Sequence, residues 1–290
     1  MKLSLIVNPA AGGGRAGRGL TDVQAALRAL GLEHHVELTS DLDHARELAQ
    51  AATAAGETAV AFGGDGLVAA VAGALKQTDG VLGVLPGGRG NDFVRTLGIP
   101  LDPGAACAVL ATGVVQALDL GEANGRTFIG IASCGFDSDA NRIANQTRLV
   151  RGNLVYVYGA LRALAAWRPA DFTVECDTGG GRAVTGYTVA AANSKIYGGG
   201  MQMAPNASLQ DGLLDVVIVG DTPKHRFLRL LPTVFKGEHI RLANVEVLRS
   251  AAVQISASRP FTMYADGDPI AELPVTVRTL PGAVRVIVPR

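Results

Sequence analysis

Over the first hundred residues, short apolar runs alternate with segments of helical periodicity. Residues 2–7 form a β-rich run; after a glycine loop, residues 20–30 carry apolar positions at helical spacing, closed by Gly31. Residues 35–39 predict a second strand, and 42–55 a second helix stopped by Gly56. Residues 58–62 and 81–85 predict two more strands, with 67–75 helical between them and a short helix over 92–97. This alternation means parallel βαβ units and a doubly wound α/β sheet.

The texture changes after about residue 120. Segments 126–132, 171–176, 183–192, 213–219, 244–248, 252–257, 262–265 and 275–279 read as strands, and only 153–166 and 224–236 keep a helical pattern. Many short strands with few helices predict a β-rich, sandwich-like second domain. We therefore expect an α/β nucleotide-binding domain over 1–120 and a β-rich domain over 121–290. The last run, 284–288, could pack back on the first domain.

Each of three early apolar runs leads into glycines: Asn8-Pro9-Ala10-Ala11-Gly12-Gly13-Gly14, Gly63-Gly64-Asp65-Gly66, and Pro86-Gly87-Gly88-Arg89-Gly90-Asn91-Asp92. In a doubly wound sheet ligands lie beyond the carboxyl ends of the strands. Three such loops in series describe one cleft lined by backbone N–H groups. Glycine lets the main chain approach closely, and a following helix N-terminus attracts negative charge. The cleft suits the polyphosphate of a nucleoside triphosphate.

Composition narrows the rest. At 290 residues, with 48% hydrophobic and 18% charged residues, the chain can bury two cores and is not disordered. Its formal net charge of zero gives no global attraction to nucleic acid. Cys107, Cys134 and Cys176 are odd in number and widely spaced, which reads as thiols in a reducing cytosol. No apolar run approaches the ~20 residues of a membrane span, so a cytoplasmic protein, at most peripheral at the inner membrane face, is expected.

The glycine segments, followed in order by Asp119-Leu120-Gly121, Gly135-Phe136-Asp137, Tyr197-Gly198-Gly199-Gly200-Met201, the run from Ala204 to Gly212 and Asp266-Gly267-Asp268, resemble the diacylglycerol kinase catalytic family. This group also contains sphingosine, ceramide and bacterial lipid kinases, and the resemblance covers nearly the whole chain. It implies ATP-dependent phosphorylation of a lipid hydroxyl, most simply that of diacylglycerol or a related lipid, with ATP and Mg²⁺ as cofactors. By this resemblance Asn8, Pro9, Gly12, Gly13, Arg18 and Thr39 contact the nucleotide. So do Gly63, Gly64, Asp65 and Gly66 of the signature, and Gly88, Arg89, Asn91 and Asp92 of the third loop. Asp65 would also orient Mg·ATP or the acceptor hydroxyl. Asp119 would join a water-mediated Mg²⁺ network, and Ser208, Asp211 and Leu213 would form a structural Mg²⁺ loop. Asp266 and Asp268 would carry the base, Asp266 nearer the metal and Asp268 nearer the hydroxyl.

Three positions depart from the family pattern. Leu67 stands where the signature carries Thr, Arg89 where the third loop often has a hydroxyl, and Asp268 where Glu is usual. A lost hydroxyl removes a phosphate or cap contact of about 1 kcal/mol, and Arg89 could pair with a phosphate directly. Asp268 is one methylene short, so as the base it needs an inward backbone shift or a bridging water.

Plainer roles compete for these residues. Asp65 and Asp92 could be helix caps, Asp266-Gly267 is a strong hairpin turn signal, and Asp211-Gly212 is another turn. Gly12-x-Gly14-x-x-Gly17 with Glu37 formally fits a dinucleotide fingerprint, yet Asn8-Pro9 separates it from the strand and two loops would be left without purpose. The NAD kinases share Gly-Gly-Asp-Gly, but no Asn-Glu pair follows. A regulator that lost catalysis through Leu67 and Asp268 is the non-enzymatic alternative.

Two segments mix cations with aromatic or apolar residues as an interfacial face does: Arg142, Arg148, Arg151, Arg162 and Arg168 with Tyr156, Tyr158 and Trp167, and Lys224, His225, Arg226, Arg229 and Lys236 with Phe227, Leu228, Leu230, Leu231 and Phe235. The expected partner is a lipid substrate at a membrane surface. The sequence is compatible with a monomer or a homodimer.

Overall fold

Four strands, three of them apolar and buried along nearly their whole length, carry the N-terminal half of the computed structural model, which describes residues 1–146 and 154–290. They are β1 (Lys2–Val7), β2 (Glu33–Leu38), β3 (Thr58–Gly63) and β4 (Val81–Pro86). All pair parallel, in the order β4-β3-β1-β2. The near-continuous apolar reading of β1, β3 and β4 follows from cover on both faces. On one face α1 (Ala11–Ala29) packs with α5 (Pro103–Thr112); on the other α2 (Leu42–Ala54) packs with α3 (Asp65–Ala74). The sheet is doubly wound, as the pattern predicted.

Local chemistry sets the helix starts. Asp41 caps α2 by accepting the His44 N–H at 2.8 Å. Asp102 caps α5 by accepting from Ala105 N–H at 2.8 Å, with Pro103 in the first turn. The helix predicted over 20–30 begins earlier, at Ala11. Its first turn is broken by Gly12, Gly13 and Gly14, whose φ values of 62°, 73° and 84° only glycine adopts freely.

Beyond α4 (Asp92–Thr96) and α5 the chain turns to strands. They are β5 (Val114–Ala123), β6 (Arg126–Phe128), β7 (Ile131–Gly135), β8 (Ala170–Cys176), β9 (Arg182–Ala192), β10 (Leu214–Gly220), β11 (Val245–Ser250), β12 (Ala252–Ala257), β13 (Thr262–Ala265), β14 (Asp268–Glu272) and β15 (Val275–Val288). Helices α6 (Phe136–Gln146), α7 (Leu154–Ala166) and α8 (Lys224–Val234) lie among them. Pairing here is antiparallel, around a second core containing Phe128, Trp167, Phe172, Tyr187 and Val216.

The seam between the halves is β15. Runs 275–279 and 284–288 are one strand with a register shift between Leu280 and Val284. It pairs antiparallel with β12 and β5, and parallel with β4 through Arg285↔Val81 and Val286↔Leu82. The buried Glu122 of β5 fastens the same junction: it accepts from Arg278 Nη2 at 2.6 Å and from Lys76 Nζ at 3.1 Å. These cations outweigh the burial penalty and hold its carboxyl below the usual range.

The run predicted over 126–132 is split into β6 and β7. Its middle amides, of Ile129 and Gly130, leave the ladder to bind the Asp266 carboxylate. Helices α5 and α6 and strand β14 were not predicted. Of the interfacial candidates, the side chains of Arg142, Arg148, Arg151, Tyr156 and Tyr158 lie outside the described residues. No helix among the described residues is long and apolar enough to cross a membrane.

Candidate active site

The three glycine loops meet backbone to backbone. A Cβ on Gly12 would lie 2.5 Å from Gly87 O, and one on Gly88 2.5 Å from Gly64 Cα. The Gly87 N–H donates to Gly63 O at 2.7 Å. Contacts this close exclude any side chain, so these glycines are required by the joining of the loops as well as by access for a ligand. Arg15 locks the first loop to the third by donating to Gly88 O at 3.0 Å, and Arg18 folds back on Gly13 O at 3.2 Å. Arg89 extends over the first loop, its Nη2 3.9 Å from where a Gly13 Cβ would be; it has no hydrogen-bond or ion-pair partner among the described residues. The end of the cleft nearest α1 thus carries three guanidiniums.

Aspartates line the other end. Asp65 opens α3 and accepts the Phe93 N–H at 3.1 Å, tying the second loop to α4. A Cβ on Gly90 would be 3.2 Å from Asp65 Oδ2 and 3.2 Å from Asp92 Oδ2, so these carboxylates are neighbours. Asp92 Oδ2 accepts the Gly199 N–H at 2.9 Å, while its Oδ1 is buried without a partner. Burial first, then the Asp65 charge, pushes the Asp92 carboxyl up. Through that bond the Tyr197–Met201 turn of the second half closes on the third loop of the first.

Asp266-Gly267 is the two-residue turn of the β13–β14 hairpin, with φ of 52° and 96°. The turn reading holds. Asp266 accepts from Ile129 N–H at 2.8 Å and Gly130 N–H at 2.9 Å, so both oxygens are engaged. Asp268 is exposed, its carboxylate has no hydrogen-bond partner among the described residues, and its Oδ2 is 3.6 Å from where a Gly66 Cβ would be. The shorter side chain already reaches the first turn of α3.

Burial pushes the Asp266 carboxyl from 3.8 to about 7, with Asp65 and Asp268 adding to the rise and the two amides opposing it. The unfolded chain ionises this group near pH ~4, so between there and about 7 the folded state binds the extra proton. Its contribution to stability is complete below the unfolded value and falls as pH rises to about 7. Asp266→Asn is expected to lose this part of the pH dependence, seen as a flatter urea midpoint across that window. An unchanged slope would place the titration elsewhere.

Other sequence-predicted residues are spent on structure. Asn91, in the left-handed region at φ 50°, accepts from Gly88 N–H at 2.8 Å and donates to Gly88 O at 3.2 Å, closing the third loop on itself. Thr39 donates its hydroxyl to Asp41 O at the end of β2. Asn8 accepts from Ala10 N–H at 3.0 Å beside the exposed Pro9. Leu67 points away from the cleft: it is buried, and its Cδ2 is 2.6 Å from where a Gly63 Cβ would be. It fills the core beneath the second loop, so a phosphate contact is not what this position supplies.

Asp119 and the 208–213 loop come together. Asp119 accepts from Gly212 N–H at 2.8 Å and Gly282 N–H at 2.7 Å, and its own N–H donates to Leu209 O at 2.7 Å. Asp211 accepts the Leu213 N–H at 3.0 Å and takes Arg249 on its other oxygen, while Ser208 accepts the Gln210 N–H at 3.2 Å. Arg249 also reaches Asp215 at 3.1 Å. Each carboxylate oxygen of Asp119 and Asp211 takes one donor, with Arg249 as the cation beside this loop, and each keeps a lone pair for a dication.

At the cleft the donor chemistry also fits a dication. Asp65, Asp92 and Asp268 offer hard oxygens, and Asp92 Oδ1 is buried and unpartnered. No group of three acidic, His or Cys side chains among the described residues could hold an ion unaided, so a dication here would share its ligands with substrate phosphates.

Several site partners had no sequence signal. The amides of Ile129 and Gly130 lie 136 or 137 positions from Asp266. Asn193, fully buried, donates to Asp119 O at 2.9 Å and Ile129 O at 3.0 Å, linking the two acidic loops. Only the fold brings these groups together.

Comparisons with known proteins give the family and the fold. Residues 2–123 match the diacylglycerol kinase catalytic domain, and 130–288 the YegS C-terminal NAD kinase beta sandwich-like domain. A diacylglycerol kinase of Mycobacterium tuberculosis is 36% identical over 297 aligned residues, covering 100% of this chain and 96% of the relative. One from Bacillus subtilis is 29% identical, covering 99% and 96%. A crystal structure of a diacylglycerol kinase from Bacillus anthracis superposes with a TM-score of 0.76 at 23% identity, covering 99% and 96%, and shows the shared fold. The chain belongs to the diacylglycerol kinase family, and it is a lipid kinase.

Proposed function

We propose that the chain transfers the γ-phosphate of ATP to the hydroxyl of diacylglycerol or a close relative at a membrane surface, with Mg²⁺ required. The observation that carries this reading is the free Asp268 carboxylate beside the first turn of α3, where the three glycine loops meet. The N-terminus of α3 and the loop amides bind the phosphates, with Arg15, Arg18 and Arg89 screening their charge. Asp65 orients the γ-phosphate and the acceptor. Asp268 accepts the proton as the lipid oxygen bonds to the γ-phosphorus and the β–γ bridging P–O bond breaks, releasing ADP. Asp266 holds the hairpin in place through its two amides. Bound Mg²⁺ would neutralise charge on the phosphate oxygens, with Asp65 and Asp92 as its protein ligands.

Labelled ATP offered with diacylglycerol, ceramide, sphingosine and phosphatidylinositol tests this. Transfer to diacylglycerol that a chelator abolishes is expected. No labelled lipid anywhere in the panel would overturn the reading in favour of a binding protein.

A further inference from the structure

Helix α8 has no buried residue along its 11 positions. Its inner contacts are few: Phe227 stacks on Tyr187 at 4.2 Å and meets Phe136 edge-on at 4.9 Å, and Lys224 donates to Ala165 O at 2.9 Å. Leu228 and, just past the helix, Phe235 are seven residues apart and so share one face; they are 42% and 52% exposed. On that side stand Lys224, Arg229 and Lys236, with His225, while Arg226 lies across the helix, and no acidic residue occurs between 222 and 237. None of these four cations has an ion-pair partner among the described residues. In a chain of zero net charge this is a local concentration of positive charge around exposed apolar groups.

The helix also adjoins the cleft. Gln202 donates to Val234 O at 3.0 Å through its backbone and to Phe235 O at 3.2 Å through its side chain. Gln202 follows the Tyr197–Met201 turn whose Gly199 holds Asp92.

We propose that α8 is the element that docks the chain on an anionic bilayer, Leu228 and Phe235 entering the interface while the cations meet anionic headgroups. The inference rests on the membrane-surface reading above and names the surface that serves it. A solvated helix would not need two large exposed apolar groups on one face, and the cations select an anionic surface over a neutral one.

The test is sedimentation of the full chain with vesicles of phosphatidylcholine, with and without phosphatidylglycerol, in the absence of nucleotide. Binding to the anionic vesicles is expected to weaken by about 30-fold in the Arg229→Gln/Lys236→Gln variant and to fall further as salt is raised. Leu228→Ser/Phe235→Ser should also release the protein, while all variants keep the wild-type melting temperature and turnover on a short-chain, monomeric lipid. Wild-type binding by both variants would overturn the proposal. So would an apolar variant that splits a dimer in ultracentrifugation while vesicle binding is unchanged, which would make this face a contact between copies. Because binding is read without catalysis, it stands or falls separately from the kinase assignment.

Discussion

Asp65→Asn is expected to lower turnover by ~10²-fold or more while leaving the fold intact, because charge placement supplies most of the catalysis in phosphoryl transfer. The structural part of Asp65 survives the change. Its Oδ1 accepts the Phe93 N–H at 3.1 Å, and an asparagine oxygen can accept the same bond. What is lost is a negative charge in the first turn of α3, worth about 0.3–1 kcal/mol to a helix, so the melting temperature should move little. The variant carries a second signature. Asp65 helps to raise the carboxyls of Asp92 and Asp266, so its removal should shift the acid-side titration of both downward. Turnover at saturating ATP, set beside a thermal melt, checks the main expectation. Full activity would remove Asp65 from the mechanism.

Asp268→Asn is expected to cost about 10²–10⁴-fold in turnover, the usual loss of a general base, because an amide cannot take the hydroxyl proton. Asp268→Glu should stay active, since residue 268 is exposed and the variant keeps a carboxylate beside α3. The partner aspartate should behave differently. Asp266→Asn leaves one of two backbone amides without an acceptor, at about 1–3 kcal/mol, so it should lose stability as well as activity. Asp268→Asn should melt like the wild type. Comparing turnover and melting across the three variants separates base from brace. If the two variants at 268 behave alike and only Asp266→Asn is dead, the proton goes to Asp266; wild-type turnover in both asparagine variants would mean that the hairpin turn is only a turn.

The first half of the fold was legible because its signals are local. Apolar runs such as 58–62 read as buried strands, and a glycine or proline closes most elements within a residue or two. The second half was less so. Strand β15 contains Pro281-Gly282, which read as a break between two strands; in the fold β5 spans both parts and the register shifts around the turn. Helix α6 was missed because its side of the pattern is polar and it follows β7 without a loop. Strand β14 was hidden because Pro269 and Glu272 are poor strand formers, tolerated at a sheet edge.

For the site, residue types and order pointed to the glycine loops, and the resemblance to the kinase family pointed to the acids Asp65, Asp92, Asp266 and Asp268. Tertiary structure alone decided how those residues divide their work. Asn91 closes its own loop, Leu67 fills the core, and Asp119 and Asp211 give their oxygens to amides and to Arg249. Asp266 is saturated by two amides while Asp268, two residues on, is left free. The reason is that a carboxylate's role depends on which donors reach it. Those donors come from segments up to 163 residues away in sequence, as between Asp119 and Gly282, so local periodicity and spacing carry no trace of them.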